Sequence, residues 1–168
     1  MPDTAEYLTR IRSYTHSKDP LELQRETPAL LDKLLANASS DQLNKRPGPN
    51  KWSIGEILAH LADDEIATAW RYRQMVEHNG IELAGFDQDL WAELSDYSSW
   101  EPQDALALFR LLREANLKMF AQLRPEQWDR HGVHAERGKL SVRSLCRHMA
   151  AHDINHINQI RRILKSDL

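Results

Sequence analysis

The chain has a single cysteine, Cys146, and only six glycines among its 168 residues. One cysteine excludes an intrachain disulfide, and neither a CxxC motif nor a glycine-rich phosphate loop occurs. The net charge of -3 lacks the basic excess that is typical of nucleic-acid-binding proteins. No apolar run approaches the ~18 residues that a membrane span requires. These absences argue against nucleic acid and membrane as partners.

Length and the N-terminal segment limit the organisation of the chain. A chain of 168 residues suffices for one compact domain, and we expect a single domain over residues 1–168. The content of 41% hydrophobic and 28% charged residues is ordinary for a soluble globular protein. At the N-terminus, Asp3 and Glu6 interrupt any apolar core of a signal peptide. A cytoplasmic location is the resulting expectation.

Helix-forming residues fill every long segment and strand-like alternation is absent, which predicts an all-α fold. A short helix is expected over residues 4–14. The predicted long helices cover residues 20–36, 54–78, 102–124 and 142–164. A short helical turn is expected within the connection of residues 81–100, at residues 88–94. The pattern predicts a four-helix bundle with a short N-terminal helix and long connections, and such bundles build ligand sites from side chains on facing helices.

The clearest local signal marks the start of the second long helix. Ser53 is the expected N-cap and Glu56 the reciprocal acid of a capping box, while Trp52 and Ile57 occupy the two positions of a hydrophobic staple. Trp52 is therefore given a structural role. Pro28 lies inside the first long helix, where a kink is preferred to a restart because the apolar stripe continues without a gap.

Histidine is abundant, with eight in the chain, and HDINH near the C-terminus contains the most informative pair. At the helical period of about 100° per residue, His152 and His156 fall on the apolar stripe of the last helix. The same stripe contains Val142, Leu145, Met149, Ile160 and Ile163. Both rings are therefore expected to point into the core one turn apart, a spacing that lets both reach one metal ion. The alternative is a pair of core histidines hydrogen-bonded to neighbours.

A metal ion needs at least one further ligand from another helix. His60 is the best candidate because it borders an apolar stripe that must face the bundle interior. His148, one turn before His152, lies at the edge of its stripe and ranks behind His60. Three neutral imidazoles leave one or more positions open, as catalytic sites do, and water bound there can ionise near neutral pH.

Two acids, Asp64 and Glu65, are the candidate catalytic residues. Glu65 falls in the middle of an apolar stripe, where an unpaired carboxylate is costly to desolvate. The favoured interpretation is an ion pair with an arginine such as Arg110 or Arg113. The alternative is an acceptor for a ligand histidine's second ring nitrogen, or a general base. Asp64, one turn beyond His60, is the rival acid.

The segment KWSIGEILAHLADDE, followed much later by GKLSVRSLCRHMAAHDINHINQI, resembles the DinB-like superfamily, the DinB/YfiT group of metalloenzymes. The resemblance extends over nearly the whole chain and includes FDQDLW and HAERG in the connections. It implies a four-helix bundle, usually dimeric, in which three histidines hold a metal. Matched by position, those ligands are His60, His152 and His156.

The resemblance also implies a choice of functions. Relatives include S-transferases that use bacillithiol or mycothiol, in which the metal lowers the pKa of the thiol. We expect a metal-dependent enzyme that activates a thiol or a water at an open three-histidine site, as an S-transferase or a hydrolase-like enzyme. The alternative is a non-catalytic, metal-stabilised dimeric bundle or a stress-related binding module.

The expected cofactor is a divalent transition metal, zinc or nickel in the first place and iron as a further option. The expected partners are a small-molecule substrate, such as a low-molecular-weight thiol, and a second copy of the chain in a homodimer. Candidates for lining the substrate pocket come from the connections and are Phe86, Trp91, Trp128, His134 and Arg137.

Overall fold

The fold is given by a computed structural model that describes residues 9–10, 13–15 and 18–166. Its helices are α1 Pro20–Leu35, α2 Ser40–Asn44, α3 Ile54–Glu77, α4 Gln88–Leu94, α5 Pro102–Phe120 and α6 Val142–Ser166. Its strands are β1 Ile81–Leu83, β2 His131–His134 and β3 Gly138–Ser141. Short 3₁₀ turns cover Tyr97–Ser99 and Pro125–Asp129. The helix predicted over residues 4–14 lies largely outside the described residues.

The long helices α1, α3, α5 and α6 form the predicted four-helix bundle. Helix α3 packs most extensively on α5, and α1 packs on α6. Contacts of α1 with α5 and of α3 with α6 complete the bundle. None of the described helices combines the length and the apolar character needed to span a bilayer.

The cap predicted at Ser53 is present, and Ser141 caps the last long helix. Ser53 Oγ accepts a hydrogen bond from the Glu56 backbone N–H at 3.2 Å, and Glu56 Oε2 accepts one from the Ser53 N–H at 2.7 Å. Ser141 Oγ accepts from the Ser144 N–H at 3.0 Å, directly before α6 begins. Helix α1 continues through Pro28 rather than restarting there, as expected.

The connections contain more structure than the sequence predicts. Strands β1 and β2 pair in parallel, and β2 and β3 pair antiparallel, in a small sheet beside the bundle. Strands of three or four residues are too short for a detectable alternation. The first two strands meet closely at Gly132, where a Cβ would lie 2.5 Å from Leu83 Cγ. Helix α2 was also not predicted, and α5 ends at Phe120 instead of Arg124 because 3₁₀-type bonds already close the chain there.

Apolar side chains form two core clusters at successive levels of the bundle. One contains Leu31, Ile57 and Phe109, and the other contains Tyr72 and Phe120. On α3, α5 and α6, the stretches between the two clusters contribute buried polar side chains instead. These are Asp63, Asp64, Glu65, Thr68, Arg113, Asn116, His152, Asp153 and His156. This polar layer crosses the bundle and contains most of the residues that the sequence nominates for function.

Candidate metal centre

Three histidines from two helices converge at one point beside the polar layer. His60 comes from α3, and His152 and His156 come from successive turns of α6. His152 Nε2 lies 3.3 Å from His60 Nε2 and 3.1 Å from His156 Nε2. All three residues are buried. The structure therefore brings together the three side chains that the sequence and the resemblance nominate as metal ligands.

Two of the three nitrogen–nitrogen spacings, both from His152 Nε2, match what a metal ion requires, and all three ligand atoms lie within 4.8 Å of one another. Bonds of about 2.0–2.1 Å from nitrogen to zinc place neighbouring ligands roughly 2.9–3.4 Å apart, depending on whether the geometry is octahedral or tetrahedral. The two measured distances of 3.1 and 3.3 Å fall within that interval. Three imidazoles at this spacing cannot all satisfy one another by hydrogen bonding, because each Nε2 is either a donor or an acceptor. One cation would satisfy three lone pairs at once.

Electrostatics keeps the three rings neutral, which is the form that binds metal. Burial lowers the pKa of His60 and of His152 well below the ordinary value, and the charge of His156 lowers both further. Burial also lowers the pKa of His156 to about 4, although its hydrogen bond to Gln159 opposes the shift. At neutral pH the cluster thus carries lone pairs rather than three positive charges.

Hydrogen bonds to the remaining ring nitrogens differ among the three histidines. His156 Nδ1 lies 3.1 Å from Gln159 Oε1, an acceptor, so Nδ1 carries the proton and Nε2 keeps its lone pair. The Nδ1 atoms of His60 and His152 are buried and have no hydrogen-bond partner among the described residues. The facing Nε2 atoms fit a resident cation better than a self-contained hydrogen-bonded core, whereas the two unsatisfied Nδ1 atoms point away from such a cation and would remain without a partner.

Asp64 is the acid that lies beside the histidines. Its Oδ2 lies 3.2 Å from His152 Nε2 and 3.7 Å from His60 Nε2, while no described carboxylate comes within 4.0 Å of the His156 ring nitrogens. Burial raises the pKa of Asp64 to about 7 in the metal-free protein, with Glu65 adding to the shift and Arg71 opposing it. Asp64 can therefore serve either as an acid–base group or as a fourth ligand on one side of the cluster.

Glu65, the other candidate acid, is held in a buried ion network. Arg113 donates to Glu65 Oε1 at 2.9 Å and to Asp153 Oδ2 at 2.6 Å, and Asn116 donates to Glu65 Oε2 at 2.9 Å. Each Glu65 oxygen thus has a donor in this network, and none of its described hydrogen bonds reaches a histidine. The structure shows the favoured ion pair and selects Arg113, since Arg110 pairs instead with Asp32.

Two of the three histidines, His152 and His156, line an open cleft of about 620 Å³, whereas His60 is not among its lining residues. Among the predicted lining residues, Phe86 and Arg137 border this cleft. Trp91 does not line the cleft, contrary to expectation, and its ring centroid lies 4.4 Å from that of Phe86. Trp128 packs against Phe120 in a core cluster. The expectation that Trp128 lines the cleft is therefore wrong.

His134 and His148 are two further histidines that the sequence singles out. His134 is buried in β2 and is not a lining residue, contrary to expectation. Burial, with the positive charges of Arg71 and Arg137, lowers its pKa. His148 does line the cleft, one turn before His152, but it lies outside the three-histidine cluster.

Several residues that line the cleft are not predicted from the sequence, and Trp52 and Arg71 are the two with the most informative contacts. Trp52, predicted only as a staple, also presents its ring to His60 with centroids 4.9 Å apart. Arg71 of α3 borders the cleft two turns after Asp64. Its side chain contacts Ala84 and Phe86, which lie in the connection that follows α3. The i, i+7 spacing of Arg71 and Asp64 on one helix face was the available signal.

The amino-acid sequence is similar to one protein family and to several named bacterial proteins. The family profile described as "DinB superfamily" matches residues 24–160. A protein of Oceanobacillus iheyensis is 22% identical over 165 residues, covering 98% of this chain and 87% of the relative. YfiT of Bacillus subtilis is 23% identical over 162 residues, covering 94% and 91%. Both relatives carry the name "Putative metal-dependent hydrolase".

Solved structures support the same fold. The structure of YfiT, described as a four-helix bundle of unusual topology, superimposes with a TM-score of 0.81 at 20% identity, covering 88% of this chain and 85% of YfiT. A mycothiol-dependent maleylpyruvate isomerase superimposes with a TM-score of 0.62 at 14% identity, covering 80% of this chain and 58% of the isomerase. With the family profile spanning most of its length, the chain belongs to the DinB superfamily.

Proposed function

We propose that this protein is a metal-dependent enzyme of hydrolase type, which activates a water at the three-histidine site for attack on a small electrophilic substrate. The observation that carries the proposal is the convergence of three neutral imidazoles, two of which, His152 and His156, line an open cleft. Access from solvent and donor atoms on one side only are features of catalytic rather than closed structural sites. The names of the relatives support the same reaction class.

The cofactor we propose is a divalent transition metal, zinc or nickel first and iron as a further option, held by His60, His152 and His156. Such an ion would act as a Lewis acid that lowers the pKa of the attacking water or thiol. Its identity is open to direct elemental analysis.

Asp64 is the residue we assign to proton transfer. Its Oδ2 lies beside two of the three ligand nitrogens and borders the cleft, within reach of a molecule at the cleft floor. In the proposed step, Asp64 accepts the proton of the attacking water while the water oxygen bonds to the electrophilic carbon. The leaving group departs with a proton that Asp64 returns, so that no net proton is lost. Trp52 and Phe86 provide the apolar walls of the cleft.

A thiol in place of water is the variant of this proposal that the mycothiol-dependent neighbour suggests. The cleft of about 620 Å³ accommodates a low-molecular-weight thiol together with a small electrophile. Sulfur would then form the bond to carbon as the bond from that carbon to the leaving group breaks, and Asp64 would accept the thiol proton. Two assays separate the water reaction from the thiol reaction. Hydrolysis of nitrophenyl esters reports on attack by water, and a chromogenic aryl halide with a panel of thiols reports on attack by a thiol.

A non-catalytic, metal-stabilised bundle is the second candidate, and the position of Asp64 is the observation that favours it. A carboxylate oxygen 3.2 Å from His152 Nε2 has the spacing of a fourth ligand. If it completed the coordination, the metal would have a structural role.

The Asp64→Asn substitution tests the proposal. We expect metal content and fold to be retained and turnover to fall roughly 10²- to 10⁴-fold, because the amide cannot accept the proton. The measurements are metal per chain by elemental analysis and initial rates on the assays above. Metal loss in parallel with activity would instead identify Asp64 as a ligand and support the structural alternative.

Asp63→Asn is the matched control. Asp63 is the adjacent buried acid, but its carboxylate accepts a hydrogen bond from the Tyr97 hydroxyl at 2.7 Å and does not contact the histidines. We expect this variant to keep both metal and turnover. A similar loss in both variants would point to a general effect on the fold.

A homodimer, a single domain over the whole chain and a cytoplasmic location accompany this proposal. The first two follow from the resemblance and from chain length. Light scattering and limited proteolysis test the first two, and cell fractionation tests the third.

A further inference from the structure

Arg71 is a cationic side chain that the metal chemistry does not use. It is half-buried on α3, two turns beyond Asp64, and it borders the same cleft. Its Nη2 donates to the Ala84 carbonyl oxygen at 2.6 Å, and its guanidinium carbon lies 5.4 Å from the centre of the Phe86 ring. These contacts hold the guanidinium in one orientation at the cleft wall.

The guanidinium of Arg71 has no counterion in the part of the chain that the structure describes. Its hydrogen bond to Ala84 uses one of its five N–H donors, and no described carboxylate comes within 4.0 Å of it. Burial lowers the pKa of Arg71, and the charge of Asp64 offsets the shift only in part. Partial desolvation of a cation without a paired anion is unfavourable. A bound anion would remove that cost.

The wider cleft has the electrostatic character that such an anion needs. Its border carries four cationic side chains, Arg10, Lys51, Arg71 and Arg137, against two acidic ones, Asp64 and Asp89. The three clustered histidines are neutral, so the formal charge summed over the lining side chains alone is positive, although the chain as a whole carries a net charge of -3. A cleft lined in excess by one sign of charge raises the local concentration of the opposite ion.

We infer that Arg71 binds a carboxylate of the substrate and that the substrate is a small molecule with a carboxylate in addition to its reacting group. This assignment rests on the proposed function for the reacting group, whereas the carboxylate subsite stands on the geometry of Arg71 itself. A planar guanidinium offers two parallel N–H groups to a carboxylate. A phosphate dianion would meet stronger repulsion from the nearby Asp64 and Asp89. The cleft volume of about 620 Å³ suits a molecule of this kind.

Binding of benzoate, with the neutral isostere benzamide and inorganic phosphate as comparison probes, tests the inference. Titration calorimetry on the wild type should show benzoate binding roughly tenfold or more tightly than benzamide, because a charge-assisted bidentate pair is lost in the amide. The Arg71→Met variant should lose this preference. Arg71→Lys should keep part of it, since the charge stays and the fork is lost.

Arg73→Met is the matched control because it removes the same charge two residues further along the same helix. Arg73 is exposed and bonds to Ala69 and Asn116, away from the cleft. We expect its preference for benzoate over benzamide to equal that of the wild type. Equal benzoate affinity in the wild type and Arg71→Met would overturn the inference, as would binding of phosphate without binding of benzoate.

Running every titration with metal-loaded and with chelator-treated protein separates this inference from the proposed function. If the wild type holds no metal but still prefers benzoate through Arg71, the subsite stands and the metalloenzyme proposal fails. If metal is present and Arg71→Met leaves benzoate binding unchanged, benzoate binds elsewhere in the cleft and the subsite fails. Metal content of Arg71→Met should equal that of the wild type in either case.

Discussion

Two buried polar clusters lie close together in the bundle, yet they are completed in different ways. The Arg113 cluster contains one cation and two carboxylates, and its carboxylate oxygens accept hydrogen bonds from Arg113, Asn116 and Thr27. Only the Nε atom of Arg113 lacks a partner in the described structure. The histidine cluster has three nitrogens directed at one point and two further ring nitrogens without partners.

The difference indicates what each cluster is for. A buried ionic network that satisfies itself fixes the packing of the helices that contribute to it and needs nothing from solvent. A buried set of lone pairs that cannot satisfy itself is stable only with a cation or with protons supplied from outside. The Arg113 cluster joins α3, α5 and α6 internally, whereas the histidine cluster opens to the cleft. Substitutions in the two clusters should therefore affect different properties.

The largest expected effect is loss of the metal in His156→Ala. Removing one of three ligands leaves two imidazoles, which rarely hold an ion, so we expect metal content to fall from about one per chain to near zero. Elemental analysis of protein purified without an affinity tag provides the measurement. Chelator treatment should lower the melting temperature of the wild type and leave that of the variant unchanged, because only a bound ligand stabilises the fold.

His148→Ala is the control for this prediction, because it removes a histidine from the same helix and the same cleft but from outside the three-histidine cluster. It should keep its metal. Retention of a full metal complement in His156→Ala would show that the ion binds elsewhere and would remove the contrast between the two clusters.

The second largest effect is expected for Arg113→Met, which tests the closed cluster. The substitution leaves Glu65 and Asp153 buried with no cation, and such unpaired charges cost roughly 3–5 kcal/mol in free energy of unfolding. Arg113 is fully buried, and the two carboxylates raise its pKa against the opposing effect of burial. Urea denaturation at neutral pH measures the change. Arg113→Lys keeps the positive charge but not the forked N–H donors of the guanidinium, and its free energy of unfolding should fall less than that of Arg113→Met.

Arg110→Met supplies the comparison on the same helix. Its ion pair with Asp32 is about half exposed on both sides, so we expect a loss of at most about 1 kcal/mol. If Arg113→Met were no more destabilising than Arg110→Met, the closed cluster would contribute little to stability. Metal content should be unchanged in Arg110→Met and, where it folds, in Arg113→Met.

The sequence predicts the histidine cluster more completely than the Arg113 cluster. Helical periodicity places His152 and His156 on one face and puts His60 on a facing helix, so the histidine cluster is predictable from residue spacing. The same periodicity identifies Glu65 as a buried acid, but it cannot choose between Arg110 and Arg113, which lie three residues apart on one helix. That choice depends on the rotation of α5 against α3, which is a property of packing and not of either helix alone.

The cleft and the small sheet are the least predictable parts. Arg71 meets Ala84 and Phe86 only because a long connection folds back onto α3, and no local pattern specifies that path. Strands β1 and β2 are far apart in the chain, and their pairing depends on close approach at Gly132. Long-range contacts between short segments leave almost no periodic signal.

The smallest expected effect comes from the ion pair of Arg46 and Glu56, in which the glutamate is buried and the arginine is exposed. Burial alone would raise the pKa of Glu56. The hydrogen bonds that Glu56 makes with Arg46 and Ser53, together with the positive charge of Arg46, outweigh burial and lower the pKa below its ordinary value. The arginine is about half exposed, at 55% of its side chain, so solvent weakens the pair. We expect Glu56→Gln to cost about 1 kcal/mol or less at pH 7, since glutamine retains the capping box.

The pH dependence of this difference identifies the charge as its cause. A carboxyl group with a lowered native-state pKa stabilises the fold fully above its unfolded-state pKa of about 4.3, and this contribution disappears as the pH falls through the lower native-state value. The gap in unfolding free energy between wild type and Glu56→Gln, measured in urea at pH 7 and at successively lower pH, should therefore narrow below about pH 4.3. If the gap stayed constant with pH, the lost stability would come from a weaker capping box in Glu56→Gln and not from the charge of Glu56. The charge of the Arg46–Glu56 pair would then contribute nothing measurable to stability, in contrast to the charges of the Arg113 network.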